Sequence, residues 1–75
     1  MEKYRGIDHD LGVLEYEYSD DWIKIKFNDG SVYEYMSGKA GQDNIEKMKQ
    51  LADKGNGLNS FIYRNVRFKY SRKIR

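Results

Sequence analysis

A chain of 75 residues makes one small domain, a size at which folding hides only about 60% of the surface the unfolded chain exposes, so most large side chains must serve the core. It has no cysteine, which excludes disulfide staples, cysteine-rich zinc sites and thiol catalysis and makes a reducing cytoplasm the expected setting. The net charge of +2 hides an asymmetry: residues 1–53 hold all 12 carboxylates and half of the 14 Lys and Arg, whereas residues 54–75 hold the other half and no carboxylate.

A basic block interleaved with aromatics is the electrostatic footprint of a nucleic-acid partner. The alternative is that it folds back on the acidic half. The N-terminal MEKYRGIDHD lacks the apolar run of a signal peptide, and no segment approaches the roughly 20 apolar residues that span a bilayer. A soluble, unprocessed chain without a membrane partner is expected. With no repeat, proline or low-complexity segment, residues 1–75 read as a single domain.

In chain order, VLEYEY (13–18) alternates, placing Leu14, Tyr16 and Tyr18 on one face and Glu15 and Glu17 on the other, as in a half-buried strand. WIKIKF (22–27) repeats the pattern, with Ile23, Ile25 and Phe27 opposite Lys24 and Lys26. A turn at SDD (19–21) that pairs Tyr18 with Ile23 also sets Glu17 against Lys24 and Glu15 against Lys26. Such pairs contribute only about 0.2–1 kcal/mol each, but their agreement with the apolar pairing fixes the register.

NDGSVYEY (28–35) allows two registers. A two-residue loop at Asp29 and Gly30 puts Tyr33 and Tyr35 beside the lysines, as an outer aromatic platform. A three-residue loop with Gly30 in the left-handed position joins both tyrosines to Ile23 and Ile25 and sets Glu34 beside the lysines. The second register is favoured, because the first buries Glu34 among isoleucines.

SGKAG (37–41) reads as a loop, and QDNIEKMKQLADKG as a helix whose apolar stripe is Ile45, Met48, Leu51 and Ala52. Asp43 and Glu46 near its start and Lys54 near its end suit the helix dipole, and Gly55 suits a left-handed cap. NGLNSFI then begins a short second helix or turn that returns Leu58, Phe61 and Ile62 to the core, with Asn59 as its N-cap. VRFKYSRKIR alternates Val66, Phe68 and Tyr70 against Arg67 and Lys69, as in a fourth, edge strand. The expected fold is α+β: an antiparallel meander of three to four strands packed against one main helix and a short second one.

Tyr33, Glu34 and Tyr35 closing a hairpin, then GNGLNSFI with Gly55, Leu58, Asn59 and Ile62 in phase, then an aromatic and basic end, resemble the KTSC domain over about residues 7–72. That domain occurs at the C-terminus of some lysyl-tRNA synthetases and alone in small bacterial proteins. The chain departs from the family pattern at Gly57, where an aromatic is more usual. What the resemblance implies is an α+β domain of unproven function, expected to bind RNA, with no catalytic residues to carry over.

The residues themselves favour no enzyme. His9, between Asp8 and Asp10, lacks further ligands at a metal-site spacing; Ser31, Ser37 and Ser60 have no nearby base; and the glycines form no phosphate loop. No cofactor is expected. The leading expectation is an RNA-binding or translation-associated module in which Arg64, Arg67, Lys69, Arg72, Lys73 and Arg75 contact phosphates while Tyr63, Phe68 or Tyr70 offers a stacking face. The alternative is a protein-interaction module that meets a partner or a second copy through an edge strand or the outer-face patch of Trp22, Val32 and Met36.

Overall fold

The structure, a computed structural model, describes residues 1–7 and 10–75. Asp8 and His9, weighed above as part of a metal site, lie outside the described residues. Five antiparallel strands follow one another across a single sheet: β1 (Glu2–Lys3), β2 (Val13–Tyr18), β3 (Trp22–Phe27), β4 (Val32–Met36) and β5 (Arg72–Lys73). Between β4 and β5 the chain forms α1 (Ser37–Ala40), the main helix α2 (Gln42–Lys54), and α3 (Leu58–Phe61), which runs on into a π-helical turn at Ile62–Val66. The α+β fold is as expected; the strand beyond the expected number is the N-terminal β1.

Charge and apolar pairing set the central register as predicted. Tyr18 faces Ile23, Glu17 faces Lys24 and Glu15 faces Lys26. Across the next hairpin Ile23 faces Tyr35, Lys24 faces Glu34 and Ile25 faces Tyr33. The loop has three residues: the Phe27 N–H donates to the Ser31 carbonyl (2.8 Å), and Gly30 sits at φ 89°. Tyr35 is therefore buried among Ile23, Ile25, Ile45 and Met48, while Tyr33 is half-buried at the edge of that core.

Four local expectations need correction. A bulge between Val13 and Glu15 shifts the alternation of β2 by one residue, so Val13 (3% exposed) enters the core and Leu14 (43%) leaves it. Ser37–Ala40 is a helical turn, not a loop, held by the Ser37 N–H on the Asp21 carbonyl and by burial of Ala40. Asn59 is no N-cap: it lies inside α3, and its amide packs over Gly12, where an added Cβ would stand 2.4 Å from Asn59 Cγ. The last segment is a strand only at Arg72–Lys73; before that, Val66 completes a four-residue helical spacing with Leu58 and Ile62, which outweighs the alternation of Val66, Phe68 and Tyr70.

The N-terminal arm organises the junction between α2 and α3. Gly55 closes α2 at φ 81°, and the Arg5 guanidinium donates to the Asp53 and Lys54 carbonyls, satisfying acceptors the last turn leaves open. At the start of α3 the Gly57 N–H donates to Asp10 Oδ2 (2.8 Å) and the Leu58 N–H to the Tyr4 hydroxyl (3.1 Å). Tyr4 in turn donates to Asp10. Asp10 and Tyr4 thus supply from a distance the cap assigned above to Asn59.

Candidate nucleic-acid interface

The sheet and the helical segment leave a groove of about 270 Å³ where β3, β4 and the C-terminal end converge. Phe27, Tyr33 and Tyr70 form one aromatic wall, with ring centroids 5.7 Å apart for Phe27 and Tyr33 and 4.7 Å for Tyr33 and Tyr70, both pairs edge to face. Tyr63 and Phe68 stand at the rim, 54% and 73% exposed. Tyr35, Asn59 and Ile62 complete the lining.

The seven predicted contact residues are divided by the fold. Arg67 lies on the groove, its guanidinium 4.2 Å from the Tyr63 ring centre and 4.9 Å from that of Phe68. Tyr70 is wall rather than open platform, because one side of its ring meets Tyr33. Lys73 pairs with Tyr33 in the sheet and holds its ammonium 5.7 Å over that ring. Arg64 and Lys69 are exposed nearby in sequence and touch no acid among the described residues. Arg72 faces the other side of the sheet, where its Nε donates to the buried Glu34 carboxylate (2.8 Å). Arg75 lies at the outer face beside Lys24, Lys26 and Val32.

The basic end thus folds back on the acidic half through the backbone pairing of β5 with β4 and one ion pair. Among the described residues, Arg72–Glu34 is the only ion pair made by residues 64–75; Asp29, its carboxyl held low first by hydrogen bonds from Ser31, also feels the charge of Lys73. Arg67 and Lys69 do not share a strand face as alternation suggested; they follow the π-helical turn, where the Lys69 N–H donates to the Val66 carbonyl. The opposite end of the sheet is acidic. There Tyr16 and Tyr18 stack at 6.1 Å and both donate to Asp53, and burial, then Asp53, pushes the Tyr16 hydroxyl up to about 12.

The surfaces of the alternative reading are reduced. Both outer strands are two residues long and wholly charged, a form that blunts strand addition. Val32 is not part of an open patch: the returning Ile74 and Arg75 hydrogen-bond to its backbone and bury it. Among the described residues no cluster of three His, Asp or Glu could hold a metal ion, and no helix is long and apolar enough to cross a membrane.

Sequence reasoning missed the part played by Phe27, Tyr35, Asn59 and Ile62 in one groove, because they come from four elements. The four-residue step from Tyr63 to Arg67 is the signal that could have found the Arg67 stack, had the segment been read as helical. No family model, curated protein or solved structure matches the chain. The resemblance to the KTSC domain rests on the residues quoted for it.

Proposed function

We propose that this is a non-enzymatic, KTSC-like RNA-binding module, cytoplasmic and associated with translation, that grips the phosphate backbone with its C-terminal cations. The observation that carries this reading is Arg67: a cation without an acidic partner among the described residues, spread over two exposed rings at the mouth of an aromatic groove. Lys73 on the sheet side and Arg64 and Lys69 beside the turn extend positive charge around it. Single-stranded RNA is recognised by that pairing of backbone cations with ring faces. Arg72, committed to Glu34, contributes less than the sequence suggested.

The test is recovery of the protein from its native host with and without nuclease. The reading expects RNA to co-purify and to be lost on nuclease treatment. A protein partner retained after nuclease, with no RNA before it, would favour the protein-interaction alternative instead.

A further inference from the structure

We propose that the aromatic groove is a receptor for one unstacked base of single-stranded RNA, with the Tyr35 hydroxyl and the Asn59 amide meeting the base edge. The inference rests on the RNA-binding reading and deepens it. Its independent support is Tyr35, which is 2% exposed yet has no hydrogen-bond partner for its hydroxyl among the described residues. No side-chain oxygen or nitrogen among them is both sealed from solvent and unpartnered, so the hydroxyl opens on the groove that Tyr35 lines. The Asn59 amide, half-buried where it packs over Gly12, also lines the groove and has no hydrogen-bond partner among the described residues.

A core residue such as Tyr35 seldom leaves its polar group without a protein partner. Burial, then the neighbouring Tyr33 and Tyr70, pushes the Tyr35 hydroxyl upward, so it stays protonated and available as a donor. An amide offers a donor and an acceptor side by side, the pattern that base edges present. Size restricts the occupant: at about 270 Å³ the groove falls just below the roughly 300–1,000 Å³ of sites for drug-sized ligands and suits a single flat ring. Tyr63 and Phe68 at the rim offer that ring a face, and Arg67 and Lys73 stand where the attached phosphates would pass. A base still paired in a duplex cannot enter, so the groove selects single strands.

The test uses the full chain, a mixed-sequence single-stranded oligoribonucleotide carrying one fluorescent adenine analogue, and a duplex of equal length. The single strand should bind more tightly than the duplex, and the analogue's emission should change on binding. Phe68→Ala, which removes an exposed ring, should weaken single-strand binding about fivefold or more, and Tyr35→Phe about two- to tenfold. Neither variant loses charge, so the salt dependence should stay that of the parent. If Tyr35→Phe does not fold, Tyr63→Ala takes its place, since Tyr63 is exposed. RNA binding with parental affinity in these folded variants, or equal affinity for the duplex, overturns the groove assignment and leaves the backbone reading standing. No RNA binding by the parent chain overturns both.

Discussion

Tyr35 has two roles that substitution separates. Its ring fills the core beside Ile23 and Ile25, and its hydroxyl faces the groove. Tyr35→Ala should destabilise the fold by about 3–5 kcal/mol, the range for a large buried aromatic, measured by denaturant unfolding. Phe68, at 73% exposure, should change stability by no more than about 0.5 kcal/mol when replaced by Ala. Equal losses for the two would mean that the ring at the rim is a core residue after all. Tyr35 was legible in the sequence as core, because only one register keeps Glu34 away from the isoleucines. Its groove-facing hydroxyl was not, because that depends on where α3 and the C-terminal end return.

At the scale of elements, legibility followed the distance over which the signal acts. β3, β4 and α2 carry their own patterns and neighbouring turns, and the strand registers and the Gly55 cap could be read directly. The bulge in β2 could not: Val13 and Leu14 are adjacent and both apolar, so either completes an alternating face. The last segment carried two periodicities at once, and packing of Leu58, Ile62 and Val66 decided for the helical one. The cap of α3 had no local signal, since Asp10 and Tyr4 lie 47 and 54 residues from the amides they satisfy. Tyr4→Phe keeps the ring but leaves the buried Leu58 N–H without its acceptor, and should cost about 1–3 kcal/mol in unfolding experiments. A loss below about 0.5 kcal/mol would show that this contact does not hold α3.

For the whole molecule, the fold separates an acidic end at Glu2, Glu17 and Asp53 from a basic aromatic end, and each has its own test. On the acidic side Tyr16, raised to about 12 mainly by burial, binds its proton more tightly folded than unfolded. Tyr4 and Tyr35 are shifted upward as well, again mainly by burial. The sign follows: this contribution is fully present below the ordinary tyrosine range near pH 10 and is lost as pH rises through the folded values. Melting temperature should therefore fall steadily above pH about 10, with tyrosinate absorbance rising late and together with unfolding. A melting temperature that is flat to pH about 12 would contradict the burial assigned to these rings.

The basic end carries the functional claim, and its charge is what salt reports. If Z of its cations hold phosphates, affinity for a mixed single-stranded RNA pool should fall with salt at a log–log slope of about −0.7Z. Arg67→Gln combined with Lys69→Gln removes two exposed charges without touching the core, so a variant shown by thermal melting to be folded should have a slope smaller in magnitude by about 1.4. The loss should be nearly independent of RNA sequence. That slope difference is the predicted result; an unchanged slope in the folded double variant, or no binding by the parent chain even at low salt, would contradict it.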